Sequence, residues 1–144
     1  MAHTYSQNLI HCVFSTKERQ PLILPERQEQ LWAYLFGISK NERLNLIAAG
    51  GTANHAHLLL ALPPVVALAE AVQKIKGNSS RWMGTRFSWQ EGYGAFSVSA
   101  SQLSTVKAYI KNQAGHHKKR TFEDEFIALL KKYGIEYDPQ FVFG

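Results

Sequence analysis

The chain has 144 residues, 45% of them apolar and 12% aromatic, enough for one compact domain with a real core, and its 19% charged content excludes wholesale disorder. A single cysteine, Cys12, excludes an internal disulfide and a multi-cysteine zinc site. The net charge of +5 is unevenly spread: residues 1–72 balance five basic against five acidic side chains, whereas residues 73–120 carry nine basic side chains against Glu91 alone, a local net of +8.

Residues 1–144 read as one domain, with a core over about 7–117 and a C-terminal helix and tail over about 118–144. The first residues lack a basic region followed by a long apolar stretch, which argues against a signal peptide. The longest apolar stretch, from Leu58 past Pro63 and Pro64 to Ala69, is too short and too broken to span a bilayer. A cytoplasmic protein with no membrane partner is expected.

Gln7 to Ser15 is β-branched and aromatic enough for a first strand, and places Cys12 as a buried thiol. Pro25-Glu26-Arg27 opens a helix to about Lys40, with Leu31, Tyr34, Leu35 and Ile38 at helical spacing. Leu44 to Ala49 predicts a second strand, Gly50-Gly51-Thr52 a turn, and Ala53 to Leu62 a third strand antiparallel to the second. Val65 to about Met83 predicts a second helix, with Val65, Leu68, Ala69, Val72 and Ile75 on one stripe. After an aromatic loop, Ala95 to Ser99 is a fourth strand. Ser101 or Ser104 caps a third helix to about Gln113 or His117, and Thr121 caps another that ends near Gly134, before an extended tail. The β-α-β-β-α-β order predicts an α+β, ferredoxin-like sandwich, also the fold of RNA-recognition modules: a four-stranded antiparallel sheet with helices on one face, plus extra C-terminal helices.

The basic segment holds Lys74, Lys76, Arg81, Arg86, Lys107, Lys111, Lys118, Lys119 and Arg120, with Trp82, Phe87, Trp89, Tyr93 and Phe96 interleaved. Cations with stackable rings suit single-stranded nucleic acid, although an ordinary solvated surface has the same composition. Lys74, Lys76, Arg81, Arg86 and Lys111 are the candidate DNA contacts. His116 and His117 are expected on the surface.

His55-Ala56-His57 carries the chemistry. Strand side chains alternate, so both imidazoles point to one face and can share one metal ion; two histidines satisfied by hydrogen bonds are the alternative. Tyr109 and Gln113 are four apart and stack on one helical face, although a tyrosine there also serves as a core aromatic. Two imidazoles and an amide oxygen make an open site suited to Mg²⁺ or Mn²⁺, with room for phosphate oxygens. Attack by Tyr109 on a DNA phosphodiester there gives a 5′-phosphotyrosine link and a free 3′-hydroxyl.

The pattern resembles the HUH-type single-tyrosine transposases of the insertion sequence 200/605 group and their repeat-associated (REP) relatives. The matching stretches are Val13-Phe14-Ser15-Thr16-Lys17 through Pro21, His55-Ala56-His57-Leu58-Leu59, Lys76-Gly77-Asn78-Ser79-Ser80, Trp89-Gln90-Glu91-Gly92-Tyr93, Phe96-Ser97-Val98-Ser99 and Tyr109-Ile110-Lys111-Asn112-Gln113. The resemblance implies a homodimer, cleavage of single-stranded DNA at element ends and recognition of imperfect hairpins. It leaves open whether Tyr109 serves its own or the partner subunit's site. Asn54 stands where the family often has Asp, and as a hydrogen-bond acceptor it orients an imidazole. Two other functions remain open: a domesticated repeat-processing relative with the same chemistry, and a non-enzymatic RNA-recognition-like module, whose signature Glu91-Gly92-Tyr93-Gly94-Ala95-Phe96 matches in part.

Overall fold

The computed structural model describes residues 3–117 and 119–143, His116 by its backbone alone; Lys118 and the His116 side chain, both singled out above, lie outside the described residues. Four antiparallel strands, β1 (Leu9–Ser15), β2 (Asn45–Thr52), β3 (His55–Ala61) and β4 (Gly94–Val98), form one sheet in the order β2-β3-β1-β4. Helices α1 (Pro25–Asn41), α2 (Leu68–Met83), α3 (Leu103–Lys111), α4 (Gln113–His116) and α5 (Phe122–Lys132) complete the domain. This is the expected ferredoxin-like α+β sandwich.

The two-residue strand period sorts the sheet into two different faces. Cys12, Phe14, Ala56, Leu58 and Leu60 point to one side and bury Leu31, Leu35 and Ile38 of α1 with Val72 and Ile75 of α2. The other side is covered by the extra C-terminal helices. Ala48 and Leu59 meet Ile110 of α3, and Val13 and Phe96 meet Phe122, Phe126 and Leu130 of α5. Strand β3 is therefore buried along nearly its whole length. Cys12 has no exposed surface, and burial pushes its thiol up to about 12.

Several boundaries differ from the sequence reading. Gly50, Gly51 and Thr52 belong to β2, and the turn falls on Ala53 and Asn54. Gly50 is there for close approach: a Cβ would lie 2.4 Å from the Ile110 carbonyl oxygen, so only glycine lets α3 lie this near the sheet. Gly94 does the same for α5, where a Cβ would meet the Phe126 ring at 2.7 Å. Val65 lies outside α2, on the surface. The third helix is interrupted at Asn112 (φ −103°, ψ 30°), and Gln113 restarts it. Thr121 caps α5 as expected, its hydroxyl accepting from the Asp124 N–H at 3.1 Å. No Ser101 or Ser104 cap forms, because α3 begins after Gln102 without a side-chain cap.

Gly50→Ala is expected to cost about 1–3 kcal/mol by forcing α3 off the sheet, a drop of roughly 3–10 °C in melting temperature. Gly37→Ala in α1, with open space around it, is expected to be neutral or slightly stabilising in the same calorimetric comparison.

Candidate metal and tyrosine site

Strand β3 delivers His55 and His57 to the sheet face that α3 and α5 cover, and both are fully buried. Gln113 approaches from α4: its Oε1 lies 3.0 Å from His55 Nε2, while its amide N–H donates to the Tyr109 carbonyl at 3.4 Å. Tyr109 packs edge-on to the His57 ring, with centroids 5.8 Å apart. The four residues nominated from sequence thus meet within one chain.

Three further residues complete the cluster. Glu125, on α5 and fully buried, places Oε1 2.9 Å from His57 Nε2, 3.1 Å from His117 Nε2 and 3.7 Å from His55 Nε2. Its other oxygen accepts from the Tyr109 hydroxyl. His117 is drawn into the site, contrary to the surface expectation. His11 of β1 sets its Nε2 2.8 Å from His57 Nδ1.

The proton positions around His55 follow from its neighbours. The Thr52 hydroxyl donates to Asn54 Oδ1 at 3.2 Å, and both oxygens lie 2.9 Å from His55 Nδ1. Nδ1 therefore carries the proton and donates. Burial, with the charge of His57 adding to it, pushes His55 down to about 3, so the ring is neutral and Nε2 bears a lone pair. That lone pair faces Gln113 Oε1 and Glu125 Oε1, two acceptors. Three electron-rich atoms converging without a proton between them fit a divalent cation. The ligand atoms of His55, His57, His117 and Glu125 all lie within 4.8 Å of one another.

Burial pushes the Tyr109 phenol up to about 12, and the Glu125 carboxylate pushes the same way; hydrogen bonds from Arg120 and Gln113 pull it down. Burial alone would raise Glu125, but hydrogen bonds from His57 and Tyr109 hold it well below the usual carboxylate range.

Two clefts flank the cluster. One, of about 220 Å³, opens on Tyr109 and is lined by Arg120 and Lys132. The other, of about 760 Å³, opens beside Asn54 and His117 and is lined by Arg19, Lys119 and Arg120. Arg120 borders both.

The candidate DNA contacts on α2 lie across the sheet from this cluster. Lys74 is ion-paired with Glu42 and Glu70 at 3.1 and 3.2 Å. Lys76 donates to the carbonyls of Gln90, Glu91 and Gly92, which pins the loop after α2, and burial lowers it to about 8. Arg81 donates to Asn78, and Arg86 and Lys111 are exposed. Most of the interleaved aromatics are not free to stack on bases. Phe87, Trp89 and Phe96 are buried, Trp82 stacks on Tyr34, and Tyr93 alone of the five is exposed.

Comparison with known proteins shows the family. Residues 4–113 match the family model described as "Transposase IS200 like". The chain belongs to the IS200-like transposase family. It is 25% identical over 129 residues to the transposase of insertion sequence IS200 from Salmonella typhimurium, covering 82% of this chain and 84% of that protein. It is 25% identical over 114 residues to the ISDra2 transposase TnpA of Deinococcus radiodurans, covering 72% and 81%. Among solved structures, a transposase from Deinococcus radiodurans R1 superimposes with a TM-score of 0.63 at 24% identity, over 78% of this chain and 95% of that one. A REP-associated tyrosine transposase bound to a REP hairpin superimposes with a TM-score of 0.59 at 14% identity, over 76% and 68%; these two likenesses bear on the fold. The IS200-like transposase described here is thus an enzyme of DNA cleavage and strand transfer. None of its described helices is long and apolar enough to cross a membrane.

Proposed function

We propose that this transposase cuts single-stranded DNA at hairpin-marked ends, with Tyr109 as nucleophile and a divalent cation, Mg²⁺ or Mn²⁺, held by His55, His57 and Gln113. The observation that carries the reading is the convergence of the Tyr109 hydroxyl, the His55 and His57 Nε2 atoms and Gln113 Oε1 on one buried cluster. The cation supplies Lewis-acid polarisation of the scissile phosphate.

The protein's own groups do the rest. A strand enters the clefts on either side of Arg120, whose guanidinium meets a phosphate and steadies the phenolate. The Tyr109 oxygen forms a bond to phosphorus and the bond to the 3′ oxygen breaks. The phenol proton leaves along the hydrogen bond to Glu125, and the departing 3′ oxygen takes a proton from water. The 5′-phosphotyrosine keeps the energy of the broken bond for a later attack by a second 3′-hydroxyl. Asn54 holds the His55 proton on Nδ1, leaving Nε2 toward the cation.

Recognition of an imperfect hairpin is proposed from the family resemblance, and the REP-hairpin complex of the structural neighbour supports it. A homodimer is proposed on the resemblance alone. A bare RNA-recognition-like module has less support, because α3 and α5 cover the sheet face on which bases would stack and Tyr133 stacks on Phe96 there. Exposed Arg86 and Lys111 remain candidates for phosphate contact, and Arg81 reaches the surface beside Asn78. Lys74 and Lys76 are the poorest of the candidates, since Glu42, Glu70 and the loop carbonyls already hold their charge.

Incubation with a library of single-stranded hairpins and Mn²⁺ or Mg²⁺ should trap a covalent protein–DNA adduct. Tyr109→Phe is expected to abolish the adduct while hairpin binding stays within about twofold; an adduct on the phenylalanine variant would remove Tyr109 from the chemistry. Arg120→Gln is expected to weaken binding and flatten its salt dependence by about one unit of slope in a filter-binding titration. A slope equal to the parent's would place Arg120 off the DNA.

A further inference from the structure

We infer that Glu125 is itself a ligand of this cation, joined by His117, so that the resting site is built from three imidazoles, the Gln113 amide and a carboxylate. The inference rests on the cation reading above and extends it beyond the residues that the family model matches: that match ends at Gln113, and His117 and Glu125 both lie after it.

Distance is the first support. Two atoms bound to one ion at about 2.0–2.2 Å stand roughly 3.0–3.5 Å apart. Glu125 Oε1 stands 2.9, 3.1 and 3.7 Å from the Nε2 atoms of His57, His117 and His55, and Gln113 Oε1 stands 3.0 Å from His55 Nε2. Three of these four separations lie within about 0.1 Å of that range and the fourth, from His55, exceeds it by about 0.2 Å, so the oxygen stands near enough to three imidazole nitrogens to share an ion with them.

Charge is the second. A fully buried carboxylate must be neutralised by a paired cation. Among the described residues the ion-pair partners of Glu125 are His55, His57 and His117 alone, and His55 is fixed by Thr52 and Asn54 with its proton on the far nitrogen. A metal ion bound to these nitrogens would supply that positive charge in place of an imidazole proton.

Placement is the third. Phe122, Phe126 and Leu130 bury one stripe of α5 against Val13 and Phe96, and Glu125 lies on that stripe, facing the sheet. The carboxylate is aimed by the packing of the helix. Because its second oxygen accepts from the Tyr109 hydroxyl, the same residue ties the nucleophile to the cation site.

The donor set names a class of ion. Mg²⁺ favours oxygen ligands and keeps its waters, whereas imidazole suits borderline transition ions. Mn²⁺, and more strongly Co²⁺, should therefore outcompete Mg²⁺.

The test is isothermal titration of Co²⁺ and Mn²⁺ into the full chain without DNA, beside the Co²⁺ visible spectrum. Wild type should bind Co²⁺ more tightly than Mg²⁺. Glu125→Gln, which keeps the shape and loses the charge, should lose about tenfold or more in affinity. His117→Ala, at the rim of the site where folding is little disturbed, should lose affinity and change the spectrum. Wild-type affinity and spectrum in both variants would leave Glu125 a hydrogen-bond partner only and overturn the inference, as would preference for Mg²⁺. If Glu125→Gln does not fold, His117→Ala decides by the same criteria. The adduct assay with Tyr109→Phe is independent of these titrations, so failure here and failure of the transposase chemistry are distinguishable.

Discussion

A carboxylate buried among imidazoles is the constraint on which this structure turns. Glu125 is fully buried, so its stability depends on the groups that β3, α3 and the end of α4 bring to it. Those groups are placed by packing. Strand β3 can carry histidines toward an interior only because Leu58 and Leu60 on its other side anchor it in the main core, while α3 and α5 close over the histidine side. The polar cluster is satisfied atom by atom: among the described residues no buried side-chain nitrogen or oxygen lacks a partner.

Glycine sets how near the two covering helices come. At Gly50 the carbonyl of Ile110, the residue after Tyr109, sits where a Cβ would be, so the position of the phenol depends on a missing methyl group in β2. At Gly94 the Phe126 ring, one residue past Glu125, does the same in β4. Two absent side chains at opposite edges of the sheet thus bring the Tyr109 phenol and the Glu125 carboxylate within hydrogen-bond reach of each other.

The sequence shows some of this clearly and hides the rest for identifiable reasons. His55 and His57 were legible because strand periodicity is local, and Tyr109 with Gln113 because helical spacing is local too, even though Asn112 interrupts the helix between them. Glu125 was missed because an acid near a helix start reads as a dipole complement, and three acids stand there. The usable signal was its place on the Phe122–Phe126–Leu130 stripe. His11 was hidden the same way, as a polar residue in an apolar strand. The Gly50-Gly51 pair imitated a turn, because glycine needed for close approach looks like glycine needed for positive φ. The basic segment misled by composition: Lys76 caps carbonyls and Phe87 and Trp89 fill the core, and neither role alters residue counts.

The distribution of charge acquires a different meaning once the fold is known. The α2 cations lie behind the sheet, whereas Arg19, Lys119, Arg120 and Lys132 line the clefts that reach the cluster. Three of these four belong to the C-terminal part of the chain, which also supplies His117 and Glu125. That segment has a net charge near zero and carries no motif, so its importance rests on where α5 folds back. Burial of Phe122 and Phe126 against the sheet draws Arg120, His117 and Glu125, the hydrogen-bond partner of Tyr109, to one place. Apolar packing of α5 thus sets where His117, Arg120 and Glu125 lie relative to Tyr109.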